Sequence, residues 1–136
     1  MSTIIESPPV KAKPSVDTDV LFSIRPELLN DSYIYVHCSV GRADQEMLIR
    51  IWRTTYLIAK GNTGKAELVH AENITYAPIW TIVPENFDYI FLLIFTGLPR
   101  SCKVFDLVEK INQPGNFYIP NIVRNESDVY HVNLNL

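Results

Sequence analysis

The most apolar stretch of the chain runs from Ile90 to Phe95, where large apolar residues follow one another without interruption. A run that leaves no polar face is typical of a strand covered on both sides, so we expect this one near the middle of the fold. The chain turns at 97–99, and apolar residues resume from Val104. Their spacing over 103–111 fits either a further strand or a short helix.

Strict alternation of apolar and polar residues covers Tyr33 to Val40. Ile34 and Val36 fall on one face, and Tyr33 and Tyr35 fall on the other. A period of two predicts a half-buried strand. We expect the isoleucine and the valine to point into the core and the two tyrosines to lie on the outer face.

A longer β-prone run covers residues 46–59, and its apolar face changes sides near Trp52. A strand does this through a bulge or by passing from one sheet to another. The polar loop that follows, at 60–65, contains Gly61 and Gly64. Because glycine tolerates positive φ, this loop predicts a hairpin that leads to a returning strand over 66–74.

The remaining pattern consists of short β-prone segments separated by Gly, Pro and Asn turns. They are 20–24, 79–83, 116–119 and 129–134. About eight short strands with no alternation of strands and helices predict an all-β fold, an antiparallel β-sandwich with at most one short helix. We expect a single domain over 20–136, preceded by a flexible or irregular N-terminal arm over 1–19 that carries three prolines and no apolar period.

Composition excludes several classes of function. The formal net charge of −3, with scattered Lys and Arg, argues against binding to nucleic acid. The apolar run at 90–95 is far too short to span a membrane, and the first twenty residues lack the pattern of a signal peptide, so a cytoplasmic protein is expected. Under that expectation Cys38 and Cys102 are small buried residues and not a disulfide.

The sequence predicts no metal site and no cofactor. Its three histidines, His37, His70 and His131, stand singly, and no motif with metal-ligand spacing is present. His37 and His131 could share a face if their strands are neighbours. Nothing in this pattern points to a bound metal, so a solvent-facing or hydrogen-bonded histidine is the simpler interpretation.

Enzymatic chemistry is also not favoured. Cys102 lies in a loop without a nearby histidine in sequence, and no nucleophile-elbow motif occurs. Asp106 and Glu109 could form a carboxylate pair, but acidic residues near turns are normally solvated. A hydrolase site built from Cys102 with His37 or His131 is the least favoured of the functions we consider.

Aromatic residues give the more useful signal. Trp52, Tyr56 and Trp80 surround one proline turn and are candidates for a platform that stacks on a ligand. Tyr33 and Tyr35, on the outer face of their strand, are candidates for a protein interface. The alternative is that these rings fill the core of the sandwich and cover its ends.

Four blocks of the sequence resemble a group of small uncharacterised bacterial proteins that are expected to be Ig-like β-sandwiches. The blocks are 49–57, 70–81, 95–105 and 121–130. The resemblance spans residues 33–134 and implies an Ig-like fold. It brings no catalytic or ligand-binding residue with it.

The expected function is therefore that of a non-enzymatic β-sandwich module. We expect it to act by protein–protein contact, with an unidentified protein partner or as a homo-oligomer. The alternative is a domain that binds a small ligand or a carbohydrate on the aromatic platform.

Overall fold

The computed structural model of the protein describes residues 33–61 and 64–134. These residues form strands and no helix, so the segment at 103–111 is a strand. The arm over 1–19 and the predicted strand over 20–24 lie outside the described residues. The strands are β1 Ile34–Val40, β2 Met47–Ile49, β3 Thr55–Ala59, β4 Lys65–Glu72, β5 Thr81–Val83, β6 Tyr89–Phe95, β7 Val104–Glu109, β8 Tyr118–Val123 and β9 Val129–Leu134.

Seven strands form one sheet in the order β8-β7-β3-β4-β6-β1-β9, and β2 and β5 form a separate two-stranded ribbon. All neighbouring strands of the large sheet are antiparallel except β1 and β9, which are parallel. The predicted all-β class with mostly antiparallel pairing is confirmed.

The large sheet curves until its two ends face each other. The Phe105 ring on β7 meets the Tyr130 ring on β9 edge-on, with centroids 5.1 Å apart. These strands are five places apart in the sheet, a distance of roughly 24 Å if the sheet were flat, because neighbouring strands lie about 4.8 Å apart. The sheet therefore folds over into two layers around a shared core, as in a β-sandwich.

The apolar run that dominates the sequence lies at the centre of the sheet, as predicted. β6 sits between β4 and β1, and its side chains from Phe91 to Phe95 are buried. Phe91, Leu93 and Phe95 belong to the main core. Ile90, at the start of the run, is the exception and has 48% of its surface exposed.

The expectation that β1 is buried on one face only is wrong. Tyr33 and Tyr35 are 1% and 2% exposed, because the second face of the sheet carries an apolar cluster of its own. Leu92 and Ile94 of β6 and Val129 of β9 complete that cluster. Strict alternation identified the two faces correctly, but it did not show that the outer one was covered.

The change of face near Trp52 is a passage between sheets, one of the two alternatives that the sequence left open. β2 belongs to the ribbon, β3 belongs to the large sheet, and Ile51 between them makes an isolated bridge to Tyr76. The predicted hairpin is also present, since β3 and β4 pair antiparallel. Gly61 takes a φ of 73° in the connection, a value that glycine adopts without strain.

Cys38 and Cys102 are both free and fully buried, as expected for small core residues. The described part of the chain contains no helix with the length and apolar character needed to cross a membrane.

Candidate binding site on the two-stranded ribbon

The ribbon turns one face to the core and the other to solvent. Ile49 of β2 and Val83 of β5 are buried at 5% and 1% exposure. Leu48 and Ile82 are directly paired across the two strands, and they are 54% and 57% exposed. Successive side chains of a strand point to opposite faces. Because Ile49 and Val83 point into the core, Leu48 and Ile82 point into solvent.

Two further large apolar side chains are exposed directly before β5 in the chain. Trp80 precedes Ile82 by two residues and is 48% exposed, and Ile79 beside it is 63% exposed. We call this set the ribbon patch: Leu48, Ile79, Trp80 and Ile82. Scattered exposed apolar residues are normal on proteins, but a group of them that includes a cross-strand pair and a tryptophan is typical of a contact surface.

Arg50 fixes the indole of Trp80. Its guanidinium carbon lies 3.8 Å from the centre of the Trp80 ring and 5.1 Å from that of Trp52. Its Nη1 also donates a hydrogen bond of 3.4 Å to the carbonyl oxygen of Pro78. One cation therefore contacts both tryptophans that the sequence proposed as a platform. Arg50 was not among the residues predicted from the sequence, although its position two residues before Trp52, on the same face of an extended chain, was a signal for this contact.

Tyr56, the third member of the predicted platform, lies elsewhere. Its ring is covered by the Lys65 ammonium, which is 4.3 Å from the ring centre. Tyr56 does not line the cleft beside the ribbon, whereas Trp52 and Trp80 both do. The structure brings together two of the three aromatic candidates.

That cleft has a volume of about 560 Å³ and runs along β2. It is lined by the consecutive residues 47–50 and by the segment 113–117. Phe91, Ile111 and Phe117 are among its apolar lining residues. A volume of this size is within the range of about 300–1,000 Å³ that is usual for binding clefts.

Glu109 contributes a buried carboxylate to the cleft. It is 4% exposed, and its Oε2 accepts a hydrogen bond of 3.4 Å from the backbone N–H of Trp52. Burial raises the pKa of this carboxyl, opposed by the backbone N–H groups of Trp52 and Phe117 and by the charge of Arg50. The backbone carbonyl oxygen of Glu109 accepts a hydrogen bond from the side-chain amide of Asn116.

The expectation that Asp106 and Glu109 are solvated is wrong for Glu109. Along β7, Phe105, Leu107 and Glu109 are the buried positions and Asp106 points the other way. The two carboxylates therefore lie on opposite faces of one strand, where they cannot act as a pair. Asp106 instead accepts hydrogen bonds from the Tyr118 hydroxyl and from the Asn121 N–H.

The predicted tyrosine interface presents almost no surface in this structure. Tyr33 and Tyr35 are buried in the second apolar cluster. The pKa of Tyr35 is raised, first by burial and then by the neighbouring Tyr33. A partner would have to displace other parts of the protein to reach either ring.

His37 and His131, which were expected to share a face if their strands were neighbours, are in contact. His37 and His131 are directly paired across β1 and β9, and their rings stack with centroids 4.6 Å apart. Burial lowers the pKa of both, and the charge of His131 lowers that of His37 further. Within 33–61 and 64–134, no group of three or more His, Cys, Asp or Glu residues is arranged to hold a metal ion.

Cys102 is fully buried, and its thiol donates a hydrogen bond of 3.3 Å to the carbonyl oxygen of Val104.

Comparison of the chain with protein-family models, with curated proteins and with solved structures gives no match.

Proposed function

We propose that the protein is a non-enzymatic binding module that docks onto a protein partner through the ribbon patch. The observation that carries this proposal is the direct cross-strand pair of Leu48 and Ile82, both more than half exposed. A partner that covers this pair removes two aliphatic side chains and the adjacent Trp80 from water. Full burial of an aliphatic side chain of this size contributes about 1.5–3 kcal/mol, so covering the exposed halves is a substantial driving force.

The stacking of Arg50 on Trp80 supports the same function. A tryptophan that is already held in one orientation loses less conformational freedom on binding than a free one. Tryptophan and arginine are also the residues on which the binding energy of protein interfaces most often depends. The patch thus combines exposed apolar area with an ordered aromatic anchor.

A carbohydrate-binding platform has less support. Stacking on a sugar needs a free aromatic face, and the Arg50 guanidinium already covers one face of Trp80. Tyr56, which would have extended the platform, lies outside the cleft and under Lys65.

Surface variants test the proposal. Leu48→Glu and Ile82→Glu place charges at the centre of the patch, and Val123→Glu is the matched control. Val123 is an apolar residue with 71% exposure on β8, outside the ribbon. The tagged variants are used to capture proteins from a lysate of cells that express the chain. Captured proteins are then purified, and their affinity for each variant is measured by calorimetry.

We expect one purified partner to bind the unmodified chain and Val123→Glu equally, and to lose at least about tenfold in affinity with either ribbon variant. Sedimentation velocity over a range of concentrations shows whether that partner is a second copy of the chain. Equal binding by all four proteins would contradict the proposal, as would the absence of any partner that binds after purification.

A further inference from the structure

The cleft borders the open edge of β2. The consecutive residues Met47 to Arg50 all line it, although the side chains of successive strand residues point in opposite directions. Four consecutive residues that border one cleft fit a strand that presents its edge, and therefore its backbone, to the cleft. Among the described residues the ribbon has two strands, with β5 on the other side of β2. The backbone groups on the cleft side of β2 thus have no strand paired to them there.

The stretch of chain along β2 that lines the cleft, residues 47–50, is long enough to pair with one short extended segment. Four residues of extended chain span about 13 Å at roughly 3.3 Å each. Residues 113–117 line the same cleft. An added strand would direct alternate side chains toward apolar lining residues such as Phe91 and Phe117, and would leave the others toward solvent.

A charged group in the cleft lining, Glu109, indicates what the segment should carry. Glu109 is buried, and it has no ion pair within the described chain. A buried carboxylate without a cation is costly, and a lysine or arginine that entered the cleft would offset that cost. Arg50 is near enough to act on Glu109 through its charge, but its guanidinium is engaged with the two indoles.

From these features we infer that the cleft recognises an extended segment of the protein partner, which adds to the open edge of β2 as a third strand. The segment carries apolar side chains at alternate positions and one lysine or arginine directed at Glu109. Backbone hydrogen bonds to β2 give this mode its affinity, and the side-chain pockets give its specificity. The inference rests on the proposed function and specifies how the partner is recognised.

A library of random heptapeptides displayed on phage tests the inference, with the full chain as bait. We expect the enriched sequences to alternate apolar residues and to include one Lys or Arg. Amide chemical shifts from NMR should change at 47–50 and 113–117 when a synthetic version of an enriched peptide is added. N-methylation of alternate peptide amides, those that face β2, should lower the affinity at least about tenfold, whereas methylation of the intervening amides should not.

Glu109→Gln tests the charge. Affinity for the lysine peptide should fall about tenfold, while affinity for the same peptide with norleucine should be unchanged. The inference is overturned if no sequence is enriched, if both N-methylated peptides bind equally, or if the shifts lie outside the cleft. Shifts at the cleft that grow with protein concentration in the absence of peptide would assign it to a second copy of the chain and would also overturn the inference. Any of these results combined with loss of the partner in the Ile82→Glu variant would leave the proposed function standing, because Ile82 belongs to the ribbon patch and does not line the cleft.

Discussion

The guanidinium of Arg124 lies against the carboxylate of Asp128 in a nearly enclosed site, with Nε 2.6 Å from Oδ1 and Nη2 3.1 Å from Oδ2. The Arg124 side chain is 3% exposed and that of Asp128 is 12% exposed. Arg124 also donates to the carbonyl oxygens of Leu98, Pro99 and Cys102. A single side chain therefore ties the loop after β6 to the segment between β8 and β9.

Replacing Arg124 should destabilise the fold strongly. Arg124→Met leaves the Asp128 carboxylate and three loop carbonyls without this donor, and breaking a buried ion pair from one side costs about 3–5 kcal/mol. Arg100→Met is the control, because Arg100 also contacts Asp128, at 2.9 Å, but its side chain is 57% exposed. A surface pair of this kind contributes about 0–1 kcal/mol. Urea unfolding followed by tryptophan fluorescence measures both, and equal losses would contradict the assignment.

Most of the strands could be predicted from the sequence because period-two patterns are local. The last strand was predicted at 129–134 and occurs at Val129–Leu134. The pairing of strands could not be predicted in this way. The parallel contact of β1 with β9 and the contact of Phe105 with Tyr130 depend on how distant segments meet, and no local pattern records that.

The candidate site was predicted in part. Trp52 and Trp80 were identified from their aromatic character, and both line the cleft. Glu109 was considered only as a solvated partner of Asp106, because acidic residues near turns are normally exposed. Its burial follows from the alternation of Phe105, Leu107 and Glu109, a pattern that competed with helical spacing over the same stretch. The exposure of Leu48 and Ile82 could not be predicted, since β2 looked like part of a longer strand with a buried apolar face.

The stacked histidines should make stability depend on pH. The folded pKa values of His37 and His131 are lowered, so the unfolded chain takes up protons first as the pH falls. The free energy of unfolding should therefore be greatest above the unfolded value of about 6.5 and decrease as the pH falls below it toward the folded values. A double variant, His37→Gln with His131→Gln, should flatten this decrease. Ser39→Ala, on the same face, should retain it, and a decrease of the same size in both variants would contradict the explanation.

The buried Glu109 carboxyl should have the opposite pH dependence. Its folded pKa is raised, so protonation favours the folded state, and this contribution is lost as the pH rises from the unfolded value of about 4.3 through the folded pKa. Glu109→Gln removes the titration. The stability of the unmodified chain relative to this variant should therefore fall as the pH rises above the unfolded value of about 4.3. Asp106→Asn, on the opposite face of β7, serves as the control. Parallel stability profiles for the unmodified chain and Glu109→Gln would show that the carboxyl does not titrate in this range.

The two thiols should resist modification in the folded protein. Cys38 and Cys102 have no exposed surface, and burial raises the pKa of the Cys38 thiol far above its usual range. Because the thiolate is the reactive form and neither sulfur reaches solvent, a colourimetric disulfide reagent should label neither residue within minutes under native conditions. Both should react at once in denaturant. A Thr54→Cys variant provides a positive control, since Thr54 is exposed between β2 and β3. Rapid labelling of Cys102 in the native protein would contradict this prediction and would support a role for Cys102 as a nucleophile.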